Sequence, residues 1–228
     1  MTARREVGRK VLLLQVAGAA ACASSGGPPR HYDDPQAMIG VFEGEKRDAW
    51  QMPDRVVSVL PLAAKNLVIA DIGAGSGYFT RRLAYQVPEG RVFAVDVDGE
   101  FEDYLLSQRE VWGTPNIEPR LAHYDDPALP EDSVDVVFTA NTYAYIRDRV
   151  AYFQKVHRAL KPHGVLAVID FHPGAEAPQE GLTAAPEHRV TPETATAEIE
   201  RAGFTLERAE TFLPYQWFLI FRRKSPSP

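Results

Sequence analysis

Between residues 67 and 222, short apolar runs alternate with stretches whose apolar positions recur every three to four residues. Runs of the first kind fall at 67–70, 91–96, 116–121, 133–140 and 165–171. They are too short for helices and rich in β-branched residues, so they read as buried parallel strands. The run at 116–121 is the weakest, because Pro119 interrupts it. Stretches of the second kind begin at Tyr78 and at Arg147. The latter carries Val150, Phe153, Val156 and Leu160 on one face and is stopped by Lys161-Pro162-His163-Gly164. Thr191 caps a further helix with Pro192 in its first turn, and Gly203 ends it. Segments 204–211 and 215–222 read as a last pair of strands joined through Pro214. Strictly alternating elements predict an α/β domain with a doubly wound sheet over 67–222.

Ahead of it, Val56-Val57, Val59-Leu60 and Leu62 keep helical spacing after Pro53, so 35–66 reads as an N-terminal helical cap. Trp50 in this cap either closes a cleft or packs. Residues 173–192, rich in Pro, Gly and Ala, are too long for a plain connector and suggest a lid.

The densest chemistry lies at 67–80, LVIADIGAGSGYFT. An acid, Asp71, closes the strand. Gly73, Ala74, Gly75, Ser76 and Gly77 follow, then a helix start. Glycines let backbone approach a ligand, and a helix start presents unpaired N–H groups. Dinucleotide binders carry G-x-G-x-x-G, but here the third glycine comes one place early and Tyr78 stands in its position. Asp96 lies 23 residues after Gly73, at the end of the next strand, where a carboxylate accepts from two ribose hydroxyls.

The D-x-G-x-G-x-G pattern with Asp96 resembles class I S-adenosylmethionine (SAM)-dependent methyltransferases. The acidic turn before 133–140 and the Leu-Lys-Pro-x-Gly run before 165–171 extend the likeness to about Arg222. It implies a Rossmann-like sheet of seven strands with the last antiparallel, SAM as cofactor, and methyl transfer to an unidentified small-molecule acceptor. It implies that Gly73, Ala74, Gly75 and Gly77 give backbone access to the amino-acid part of SAM, that Asp71 orients its ammonium, and that Asp96 holds the ribose. Asn141 would hydrogen-bond the methionine moiety, or else is a structural loop residue. The family's Gly-Asp adenine loop is Ala122-His123 here, so Asp125 supplies that contact if the loop is shifted, or else belongs to an acidic turn. The family's loop histidines are replaced by Ala144 and Tyr145, which leaves Tyr143 and His172 as catalytic candidates or as plain loop residues. An alternative is a SAM-fold binding protein without turnover.

The 228 residues carry a net charge of −6 with no long basic run, so a nucleic-acid partner is not expected. The first 22 differ in kind: a basic start, an apolar run from 11 to 21, then small residues before Cys22, the only cysteine. This is the pattern of an export signal, too short to span a bilayer, and it resembles the bacterial lipoprotein signal; the alternative is an ordinary N-terminal helix of a cytoplasmic enzyme. A lipidated Cys22 would bind a membrane surface and leave no thiol for a zinc site, and no metal is expected. Residues 23–34 read as a flexible tether and 223–228 as a disordered tail.

Overall fold

The computed structural model describes residues 32, 34–176, 178 and 181–224. The export segment with Cys22, most of the tether and the end of the tail lie outside the described residues. Three short helices come first: α1 (Pro35–Phe42), α2 (Arg47–Gln51) and α3 (Pro53–Ser58). Then follow β1 (Val68–Ile72), α4 (Thr80–Gln86), β2 (Arg91–Asp96), α5 (Gly99–Val111), β3 (Ile117–Leu121) and β4 (Val134–Ala140). The chain continues with α6 (Arg149–Ala159), β5 (Leu160–Phe171), α7 (Pro192–Arg201), β6 (Phe204–Glu210) and β7 (Gln216–Arg223).

The seven strands form one sheet in the order β3-β2-β1-β4-β5-β7-β6. Strands β1 to β5 are parallel, and β7 runs antiparallel to both β5 and β6. This is the doubly wound sheet the alternation predicts. Successive strand residues feed opposite layers, as the pleat requires: Ile69 joins one core and Ala70 the other, both fully buried. Strand order reverses at β1, with β2 on one side and β4 on the other, which opens a crevice at their C-terminal ends.

Several boundaries shift by a residue or two, and two differ more from the sequence pattern. Strand β5 begins at Leu160, not at residue 165. Leu160 pairs with Val134 and Val165 with Val136, so the Lys-Pro-His-Gly run is a bulge inside the strand, with His163 at φ +66°. Helix α3 stops at Ser58 although the apolar pattern runs to Leu62. Pro61 disfavours continuation, yet Leu60 and Leu62 still reach the core.

One buried polar cluster ties the sheet's end to α7. Tyr143 lies in a single turn of 3₁₀ helix after β4 and donates to Glu198 Oε2 at 2.7 Å. Arg149 donates to the same carboxylate through Nε at 2.5 Å and Nη2 at 3.1 Å. All three side chains are almost fully buried, so each satisfies what would otherwise be a costly isolated group.

Candidate active site

At the crevice, β1 ends in a glycine turn held from the neighbouring strand. The N–H groups of Gly73 and Ala74 both donate to the Val95 carbonyl, at 2.8 and 3.1 Å. The Gly75 N–H donates to Asp96 Oδ2 at 2.8 Å, while Asp96 Oδ1 accepts from Val97 and Asp98. Gly73 and Gly75 have φ of +77° and +52°, and a Cβ on Gly73 would lie 2.0 Å from Thr142 Oγ1. The sequence needs glycine here for both conformation and space.

The turn, the tip of β2 and the loop after β4 enclose a cavity with about 1000 Å³ of empty space, part of it open to solvent. It is large enough for a cofactor-sized ligand. Asp71, Gly73, Ala74, Gly75, Asp96 and Asn141 all line it. Asp71 is buried and accepts from Thr80 Oγ1 at 2.6 Å. Burial raises its carboxyl to about 7, against the opposing pull of the Thr80 hydrogen bond. Burial likewise raises Asp96 to about 6, although three backbone N–H groups favour its ionised form. Two acids held this close to protonation suit a cationic or hydroxyl-bearing occupant.

Four of the expected site residues lie elsewhere. Gly77 does not line the cavity: a Cβ there would lie 2.6 Å from Leu105 and 3.0 Å from Trp112, so its smallness serves the packing of α5. Asp125 points to solvent beside Lys155, and Ala122, His123 and Tyr124 form that wall instead. Tyr143 is buried, its hydroxyl is spent on Glu198, and burial raises its ionisation far above the ordinary phenol. It cannot face a substrate there. His172 is exposed beyond the end of β5, outside the cavity lining. Trp50 packs with Phe171 and Tyr215 and does not line the cavity.

The structure also brings in residues that no motif marks. Phe42 of α1 covers Gly75, with ring atoms 3.1 Å from where a Cβ would stand. Tyr32 and Phe101 stack edgewise and tilted against it. Leu182, from the long loop after β5, lines the cavity. Arg47 of α2 lines it too, 5% exposed and stacked over the Tyr78 ring at 3.7 Å. Nothing in one sequence marks a charged residue of a short helix as buried. Among the described residues no group of three His, Cys, Asp or Glu side chains is placed to hold a metal ion.

The residues present fit SAM on their own chemistry. Asp71 suits its ammonium, Asp96 its ribose hydroxyls, and the bare turn its close approach. The buried Asn141 Nδ2 has no hydrogen-bond partner among the described residues, as a donor awaiting a ligand would.

Residues 69–164 match a family model described as a methyltransferase domain. Among curated proteins, the chain is 36% identical over 101 residues to trans-aconitate 2-methyltransferase of Rhodopseudomonas palustris, across 44% of this chain and 37% of that one. It is 31% identical over 104 residues to malonyl-[acyl-carrier protein] O-methyltransferase of Hahella chejuensis, across 43% of this chain and 34% of that one. The chain thus spans little more than a third of the length of these relatives. Among solved structures, a SAM-dependent methyltransferase from Aquifex aeolicus superposes with a TM-score of 0.73 at 24% identity, covering 84% of this chain and 99% of that one. Residues 69–164 are thus similar to a methyltransferase domain, and the chain shares the α/β fold of a solved SAM-dependent methyltransferase.

Proposed function

We propose that this protein binds SAM in the crevice of β1, β2 and β4 and transfers its methyl group to a small carboxylic acid. The observation that carries the reading is the convergence of Asp71, the bare glycine turn and Asp96 on one cavity. SAM, when bound, supplies a methyl group already activated on a sulfonium, so the protein has chiefly to align and to exclude water. Asp71 holds the ammonium end, Asp96 the ribose, and the aromatic residues of the cap keep water out of the reacting end.

The acceptor class is proposed from the similar proteins, because the two expected bases stand outside the cavity although His123 and Tyr145 line it. Neither Tyr143 nor His172 lines it. A carboxylate is already anionic at neutral pH and needs no base to become a nucleophile. The similar proteins named for trans-aconitate and for a malonyl thioester act on acidic acceptors by those names. The same absence supports a second reading, a SAM-fold binder without turnover.

Calorimetry with SAM and with NAD, followed by transfer of labelled methyl to trans-aconitate and malonyl esters, tests both readings. SAM binding with methyl transfer supports the first, SAM binding alone the second, and NAD binding without SAM binding refutes both. We further propose, from the basic and apolar N-terminus before Cys22, export and lipid anchoring to a membrane facing the periplasm. An unprocessed Met1 in mass spectrometry of the native protein would refute that.

A further inference from the structure

Arg47 is a buried cation without an anion. Its Nε donates to Gln51 Oε1 at 2.6 Å and its Nη1 to the Phe42 carbonyl at 2.7 Å. Among the described residues Nη2 makes no hydrogen bond, and no carboxylate pairs with the guanidinium. Burial pushes its pKa down to about 10, which still leaves it charged at neutral pH. A buried charge of this kind is costly to keep unless something completes it.

The hydrogen bonds leading away from Arg47 have a fixed direction. A guanidinium only donates, so Gln51 must turn its oxygen toward it. Gln51 Nε2 then donates to Gln216 Oε1 at 3.1 Å, and Gln216 Nε2 donates to Asn141 Oδ1. Each amide is oriented by the one before it, and Gln51 and Gln216 are 0% and 2% exposed, so water does not compete. The last amide, Asn141, is left with Nδ2 unpartnered. Its backbone stands at φ +61°, a conformation asparagine tolerates better than most residues. Both ends of the relay therefore offer donors and no acceptor, and both end residues line the same cavity.

We propose that Arg47 and Asn141 form a carboxylate-binding site, with Gln51 and Gln216 as positioning residues that fix which atom Asn141 presents. An unspent guanidinium N–H and an unspent amide N–H, both at one cavity, suit an anionic oxygen ligand such as a carboxylate. The carboxylate comes from one of two sources, the amino-acid end of SAM or the acceptor. The first source rests on the SAM reading given above.

Calorimetry on the purified protein separates them. One arm compares SAM with decarboxylated SAM, which lacks only the carboxylate. The other titrates citrate, a non-reacting carboxylate, with and without the adenosyl ligand. If the site reads the cofactor, wild type prefers SAM by roughly 10- to 100-fold, a charge-assisted pair's worth. Arg47→Met then abolishes that preference and leaves decarboxylated SAM binding within about twofold. If it reads the acceptor, Arg47→Met leaves the preference intact and weakens citrate roughly tenfold.

Gln216→Glu tests the relay itself. A carboxylate there accepts from both neighbours, so Asn141 must turn Nδ2 toward it and show Oδ1 to the cavity. The carboxylate arm should then lose roughly three- to tenfold while decarboxylated SAM and the thermal midpoint stay near wild type. If Arg47→Met matches wild type in both arms, the proposal is overturned. If wild type binds neither adenosyl ligand, the SAM reading falls and the citrate arm still decides the carboxylate site.

Discussion

The raised pKa of Asp71 makes cofactor affinity a function of pH, with a calculable slope. An ammonium gains from Asp71 only when the carboxyl is ionised. With its pKa at about 7, roughly one in eleven copies is ionised at pH 6 and about half at pH 7. Asp71 alone therefore tightens SAM binding roughly fivefold across that interval, about 1 kcal/mol. Asp96, at about 6, goes from half to about nine-tenths ionised and adds less than a factor of two. The expected total is roughly tenfold. The window stays below the range near 7.7–8.0 where an α-amino group begins to lose its own proton. Asp71→Asn keeps the side chain's shape and removes the titration, so the slope should shrink to less than about twofold, at an affinity no better than wild type at pH 6. Other groups at the cavity, His123 included, are common to both proteins and cancel in the comparison. Calorimetry with S-adenosylhomocysteine at pH 6.0, 6.5 and 7.0 reads the slope. A flat wild-type profile, or an unchanged slope in Asp71→Asn, would refute the reasoning.

Stability carries the opposite sign. Asp71, Asp96 and Asp170 have folded pKa values near 7, 6 and 6, above the unfolded value of 3.8, so the folded state holds protons that the unfolded chain releases. The thermal midpoint of the unligated protein should therefore fall as pH rises from about 4 to about 7, and a flat profile would count against these shifts. Gly73→Ala meets Thr142 and a left-handed φ, and should cost at least about 2 kcal/mol in chemical denaturation along with measurable loss of SAM binding. Tyr143→Phe should cost about 1 kcal/mol and leave kcat within twofold, while Glu198→Ala strands Arg149 and should cost about 3–5 kcal/mol. His172→Asn should leave kcat within about twofold. A hundredfold loss would restore it as a base.

What the sequence made legible was whatever depends on local pattern. Strand spacing, the glycine turn, Asp71, Asp96 and the Thr191 cap are signals carried within a few residues, and each is present close to where the pattern put it. Gly77 shows the limit of such signals, because the motif cannot tell a glycine that admits a ligand from one that admits Leu105 and Trp112. Tyr143 and Asp125 stand away from the cavity for a related reason. Each lies on the correct loop, but its direction depends on a partner far along the chain or on the protein surface, Glu198 in one case and Lys155 in the other. Arg47 could not be found at all from one sequence, since its burial depends on the Tyr78 and Phe79 rings meeting it in space.

Tyr78, the residue that departs from the dinucleotide fingerprint, also fastens two parts of the molecule. Its ring lies between the guanidinium groups of Arg47 at 3.7 Å and Arg82 at 4.3 Å, and its hydroxyl donates to Asp48 of α2. Glu43, just after α1, reaches across to Ser76 at 2.5 Å and Arg81 at 2.7 Å. A glycine at position 78 would therefore do more than restore a familiar spelling. It would remove one tie between α2 and the floor of the cavity, beside the buried guanidinium that α2 contributes. The residue that breaks the dinucleotide spacing thus also fastens α2 beside the glycine turn, and a change made for the spacing will disturb that attachment.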